Sequence, residues 1–228
     1  MKRASEIVEL SHRLRVGQPY YPTHAHYFRM MYNQLEDGDS SAHAQLIMGE
    51  HAGTHVDAPR HFFPDGATID QLPLDTFMGD GLVVDLSFSE GGQALSREAL
   101  ETALGQRALE LKGKMVLLRY DWDRLWHLRP RRREYVDSWP GLSGAAARYL
   151  AEIGVKAVGT DAISMDASGA SHAPAHHALL GSGVVIYENL TNLGRLIDRA
   201  FTFVGIPLAI GEGTGSPVRA FAYLMEGC

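Results

Sequence analysis

Between residues 51 and 61 the chain reads HAGTHVDAPRH, three histidines and one aspartate in eleven positions. This run constrains the fold more than any other stretch because it rejects both regular structures. On a helix His51 and His55 would share a face, but Asp57 would point roughly 200° away from His55. Gly53 and Pro59 also oppose a helix interior. In an extended chain, side chains alternate with a period of two, so the odd-numbered His51, His55, Asp57 and His61 fall on one face. A straight strand rises ~3.3 Å per residue and would spread the outer pair ~33 Å apart. The four groups meet only if the run bends sharply. Gly53 can supply unusual backbone angles and Pro59 breaks strand pairing. The run therefore predicts a one-sided strip of polar groups folded into a cup.

Residue type indicates the chemistry. Neutral imidazole and carboxylate suit Zn²⁺, Mn²⁺ or Fe²⁺, and a carboxylate such as Asp57 can bridge two ions. No cysteine lies nearby, which argues against a structural zinc site.

The rest of the chain looks like an ordinary globular protein. Of 228 residues, 45% are hydrophobic and 21% charged. A net charge of −6 gives no reason to expect nucleic acid or an anionic membrane as a partner. No apolar run approaches ~20 residues, so no transmembrane helix is expected. The start, MKRASEIVELSH, lacks the apolar region of a signal peptide. The one cysteine is Cys228, so no internal disulfide can form. A reducing, cytoplasmic setting is the expectation.

Patterning predicts strands at IVEL, AQLIMG, GLVVDLS, KMVLLRY, VKAVGTD, VVIYENL, FTFVGIPLAI and VRAFAYLM. Helices are expected at SREALETALG, between Ser96 and Gly105, and at SGAAARYLAEIG, between Ser143 and Gly154. PAHHALLG reads as a short helical stretch. Strands outnumber helices in mixed order, which indicates an α/β (α+β) fold with a mixed sheet in a single domain over residues 1–228. The segment from Asp121 to Trp139 reads as a long loop rich in tryptophan and arginine. Such loops are often lids or binding loops. Its RPRRRE stretch reads as a solvated charge run.

The eleven-residue run resembles the HxGTHxDxPxH motif of the cyclase family of metal-dependent hydrolases, which includes bacterial kynurenine formamidases and isatin hydrolases. His51, Gly53, Thr54, His55, Asp57, Pro59 and His61 match its fixed positions. The resemblance extends to LSHRL and YYP near the start, to GTDAISMD, to HHALLGSGVVIYENLTNL and to GSPVRAFA. In the fourth of these, two residues separate His176 from Leu179-Leu180, and Glu188 follows twelve positions after His176.

The resemblance implies a swivelling β/β/α domain, assembled as a homodimer or homotetramer, and a divalent metal cofactor, Zn²⁺ or Mn²⁺, one or two per subunit. It implies that His51, His55 and Asp57 bind one ion, that Asp57 bridges to a second, that His176 binds the second and that Glu188 contacts both. It assigns His61 to proton transfer, outside the ligand set. His176 and His177 differ by ~100° on a helix, and the spacing to the leucines selects His176, leaving His177 at the surface or behind the ligands.

For substrate contacts the expectation is Tyr20, Tyr21 and Trp126. The family's formamidases favour a tryptophan near the first two positions, but tyrosine also stacks on aromatic rings. His24 and His26 either border the substrate or are loop residues. Asp161 either supports a ligand histidine or caps a turn. The implied activity is hydrolysis of a small aromatic amide by metal-activated water, foremost an arylformamidase acting on an N-formylkynurenine-type substrate. An isatin hydrolase-like lactam or lactone hydrolase is the alternative. A polyketide cyclase or a non-hydrolytic metal-binding protein is the alternative from another class.

Overall fold

The structure is a computed structural model describing residues 4–128, 131 and 133–225. The chain runs β1 (Ala4–Glu9), β2 (Phe28–Asn33), β3 (His43–Ile47), β4 (His55–Asp57), β5 (Met78–Asp85), β6 (Ala94–Leu95), α1 (Arg97–Leu104), β7 (Met115–Arg119), α2 (Arg133–Val136), β8 (Gly141–Leu142), α3 (Gly144–Ile153), β9 (Ala157–Thr160), α4 (Pro174–Leu180), β10 (Val185–Glu188), β11 (Phe201–Val204), β12 (Gly215–Pro217) and β13 (Phe221–Met225). Cys228 and part of the RPRRRE stretch lie outside the described residues.

Nine strands form one mixed sheet in the order β1-β13-β11-β5-β7-β9-β10-β4-β12. Its centre, β5-β7-β9-β10, is parallel, and every pairing outside it is antiparallel. Alternation along the central strands builds two cores. Val84, Val116, Leu118, Val158 and Ile186 face the helices, where Leu100 of α1, Leu150 of α3 and Leu179 of α4 cover them. Val83, Leu117, Val185 and Tyr187 point the other way. There they meet Val8 of β1 and Val56 of β4, strands from opposite ends of the sheet order. The sheet therefore curls until its ends share a core, making a mixed α/β fold with few helices.

The helix boundaries follow their punctuation. Ser96 and Ser143 accept hydrogen bonds from Ala99 N and Ala146 N, and Gly154 closes α3 at φ 84°. The strand expected over FTFVGIPLAI stops at Val204, just before Gly205 and Pro207; a proline cannot donate to the ladder. Patterning missed the three-residue strands β4 and β12, which are too short to show a period. It also missed β2, which pairs only with β3 and forms an arm apart from the main sheet.

Candidate active site

The HAGTHVDAPRH run does bend. Gly53 adopts φ 65°, and a Cβ there would come within 2.6 Å of Leu14. Only His55–Asp57 is extended, and a 3-10 turn opens at Pro59 and carries His61. In the antiparallel ladder His55 faces Glu188 and Asp57 faces Ile186. Ile186 belongs to the helix-side core and Val56 to the opposite one. His55, Asp57 and Glu188 therefore project toward the helices. From there α4 delivers His176, with His177 turned to solvent. His51 reaches the same point over β12, where a Cβ on Gly215 would sit 2.6 Å from its ring.

The polar atoms converge tightly. His51 Nδ1 lies 2.6 Å from Asp57 Oδ1. His55 Nε2 lies 3.3 Å from Asp57 Oδ1 and 3.5 Å from Glu188 Oε2. His176 Nε2 lies 3.4 Å from Asp57 Oδ2 and 3.1 Å from Glu188 Oε1. His55, Asp57, His176 and Glu188 are all buried.

The outward ring nitrogen of each histidine is occupied. His55 Nδ1 donates to Gly53 O at 2.8 Å, and His176 Nδ1 to Asp166 Oδ2 at 2.5 Å. His51 Nε2 donates to Thr214 Oγ1 at 3.0 Å; that hydroxyl itself donates to Glu50 Oε2. A neutral imidazole carries one proton, so each ring turns a bare lone pair toward the two carboxylates. Lone pair against lone pair is repulsive unless a proton or a metal cation lies between.

Without a metal, protons take that place at His55 and His176. Burial alone would lower His55, but its hydrogen bonds to Asp57 and Glu188 raise it to about 10. His176 rises well above the ordinary range against burial, through Asp166, Asp57 and Glu188. Burial would raise Asp57, but the His51 charge and hydrogen bonds from His176, His51 and His55 depress it. Glu188 is held down against both burial and Asp57 by His176 and His55. Two buried carboxylates compensated this way form a donor set that fits a divalent cation. The groups His55–Asp57–Glu188 and His51–Asp57–His61 each bring their ligand atoms within 4.8 Å of one another. The ring of His61 stacks 3.9 Å from that of His51, and burial lowers His61 to about 4.

The cup lies at one side of a cavity of about 360 Å³. Tyr21, His24, Phe62, Trp139 and His172 line the rest of it. Tyr21 and Trp139 meet edge to face at 5.8 Å, and Phe62 stacks on His176 at 4.9 Å. Tyr20 tilts against His26 and lines a neighbouring cleft. Trp126, expected at the substrate, is not part of the cavity lining. It stacks on His12 at 4.1 Å and packs edge-on against Tyr135, drawn into the layer beneath the loop. Asp161 does not support a ligand; it accepts from Tyr120 N and Trp122 N and fixes the turn into the long loop. Asp166 takes the supporting role on His176, and it also accepts from Ala175 N and His176 N. Nothing in the spacing of SMDASG signals that contact, which exists only once β9 and α4 are packed.

A buried cup of imidazoles and carboxylates at the edge of an aromatic-walled cavity defines a metal-dependent class of enzyme. The chain belongs to the Cyclase family, whose model matches residues 8–167, and it is a hydrolase of that family. It is 33% identical to the kynurenine formamidase of Salinibacter ruber over 81% of each chain. It is 31% identical to that of Bacillus mycoides, again over 81% of each. Among solved structures, isatin hydrolase A from Labrenzia aggregata, bound to benzyl benzoate, superposes with a TM-score of 0.86 at 28% identity, covering 97% of this chain and 94% of that one.

Proposed function

We propose that the chain hydrolyses the C–N bond of a small aryl amide, foremost an N-formylkynurenine-type formamide. The observation that carries this reading is the convergence of His51, His55, Asp57, His176 and Glu188 beside a cavity walled by Tyr21, Phe62 and Trp139. The likeness to kynurenine formamidases supports it.

In this reading His51, His55 and Asp57 would hold one Zn²⁺ or Mn²⁺, and His176 would hold a second where two are bound, with Asp57 and Glu188 available to both. When bound, such a metal supplies Lewis acidity and brings the pKa of water from 15.7 down to ~7. His61, neutral and stacked on His51, takes the proton of the attacking water and returns it to the leaving nitrogen as the C–N bond breaks. Tyr21 and Trp139 flank the aryl ring, with Tyr20 in the adjoining cleft.

One observation favours a cyclic amide such as isatin as a second reading. No lysine or arginine is among the described residues lining the cavity, so that described lining holds no fixed cation for an amino-acid carboxylate. Turnover of N-formylkynurenine, N-formylaniline, isatin and an aryl lactone tests both. Formamide hydrolysis in preference to the others supports the first reading, and isatin preference the second. Metal-loaded protein inert toward all four would contradict both.

The partners in this reading are a small-molecule substrate and a second copy of the chain, in a cytoplasmic setting. No helix among the described residues is long and apolar enough to cross a membrane. The β2–β3 arm supports a homo-oligomer: Phe28, Met30, Tyr32 and Ile47 are each 50–64% exposed, and the pairing of Phe28 with Ile47 puts them on one face of the ribbon. Side chains of this size offer on the order of 100 Å² each, roughly 400 Å² in all, against the ~800 Å² per partner of a stable interface. An isolated two-stranded ribbon is marginal in water. Light scattering should give a dimer or tetramer that Met30→Glu with Ile47→Glu dissociates.

A further inference from the structure

We infer that Asn189 is a positioning residue for His55, and that Tyr135 in the long loop holds it in place. Asn189 directly follows Glu188, is buried and sits at φ 56°. Asparagine tolerates that conformation, but glycine adopts it more easily, so the side chain must contribute something that glycine lacks.

Its contacts show what that is. Asn189 Nδ2 donates to Gly53 O at 2.9 Å, the same carbonyl that accepts His55 Nδ1 at 2.8 Å. A carbonyl oxygen only accepts, so this contact fixes which end of the amide is nitrogen. The Asn189 oxygen then faces Tyr135 OH at 3.0 Å, and the one hydroxyl proton is shared between it and Asp161 O at 2.8 Å. The Asn189 backbone is tied as well: its carbonyl accepts from Thr54 Oγ1 at 2.6 Å, and its N–H donates to Ala162 O.

Asn189 thus cross-links the two ligand-bearing segments at the peptide that orients His55. Both lone pairs of Gly53 O are used, one by the amide and one by the imidazole. With the Gly53 peptide held, His55 keeps its proton on Nδ1 and presents a bare Nε2 to Asp57 and Glu188. Without the amide, Gly53 is the residue least able to hold its own carbonyl, because it has no Cβ to restrict rotation. The chain Tyr135–Asn189–Gly53–His55 also links α2, inside the 121–139 loop, to the cup.

The test uses the full chain and Zn²⁺ itself. Asn189→Gly keeps the backbone conformation and removes the amide. It should lower Zn²⁺ affinity, measured by chelator competition, by ~10–100-fold, the range for outer partners of metal ligands. The hydrogen-bonded Nδ1–H resonance of His55 in zinc-loaded, ¹⁵N-labelled protein should broaden or vanish. Tyr135→Phe should weaken binding less, about 3-fold, and the double variant should bind no worse than Asn189→Gly alone, because both act through one chain of contacts. Wild-type affinity and an intact His55 resonance in Asn189→Gly would overturn the inference. Losses that multiply in the double variant would overturn the Tyr135 link. If Asn189→Gly does not fold, Tyr135→Phe alone decides: unchanged affinity contradicts the inference.

Discussion

The cup and the mouth of the cavity are built on different principles. In the cup the outward nitrogen of His51, His55 and His176 each has a partner, and the converging groups come from paired strands, one helix and the turn that carries His51. The mouth is built from loops: Tyr21 and His24 precede the β2–β3 arm, and Trp139 closes the long loop. Its rings meet at tilted angles, and Tyr21 and His24 stay half-exposed. A scaffold that fixes the reacting groups and leaves the walls on loops can change substrate while keeping its chemistry.

Removing a cup ligand should give the largest effect. His55→Ala should lose metal by more than ~100-fold, beyond the range of outer partners, and lose activity with it. Metal analysis after dialysis checks this, and a variant that retains both metal and turnover would place the metal elsewhere.

The boundary between cup and mouth runs through His61. His61→Ala should keep its metal while kcat falls ~10²–10⁴-fold, the usual range for a general acid or base. Metal loss as complete as in His55→Ala would instead make His61 a ligand with His51 and Asp57, an arrangement their spacing also permits.

In the mouth the effects should be smaller and selective. Tyr21→Ala should change relative rates across aryl substrates by about tenfold while metal content stays constant. Trp126→Ala should lower the melting temperature without altering those relative rates, because Trp126 stacks on His12 outside the cavity. Equal shifts in specificity from both variants would erase the distinction between wall and foundation.

The smallest effect lies in that foundation. Burial lowers His12 from 6.5 to about 4 despite Asp123, and its Nε2 is buried with no hydrogen-bond partner. The unfolded chain binds a proton at His12 below pH ~6.5 that the folded protein takes up only near 4. Stability is therefore lost as pH falls through that window, by at most about 3 kcal/mol. His12→Phe should keep the stack on Trp126 and flatten that acid-side loss in denaturant titrations from pH 7 to 4. An unchanged slope would assign the loss to other groups.

The cup was the legible part of the sequence because its residues are close together and chemically specific. The parity of His55 and Asp57 and the breaks at Gly53 and Pro59 are local features, whereas the choice of His176 over His177 rests on the spacing to Leu179-Leu180 in the segment that resembles the family. Asp166, Asn189 and Thr214 were not legible. Each meets its histidine only after distant segments pack, and an aspartate, asparagine or threonine in a turn carries no mark of its partner. Trp126 and Trp139 share one loop, so composition could not tell which would face the cavity. The fold followed the same rule: long strands and capped helices were readable, while β4 and β12, which carry and border the cup, are too short to have a period.

In the proposed function, hydrolysis depends on a metal held in this cup. The most direct measurement is turnover of N-formylkynurenine or isatin by chelator-stripped protein as Zn²⁺ or Mn²⁺ is titrated back, with bound metal measured in the same samples. Activity should be absent at the start and rise in step with bound ion, reaching its plateau when one or two ions per chain are bound. Full turnover by the stripped protein, or metal that binds at this site and restores none, would rule out metal-dependent hydrolysis in this cup.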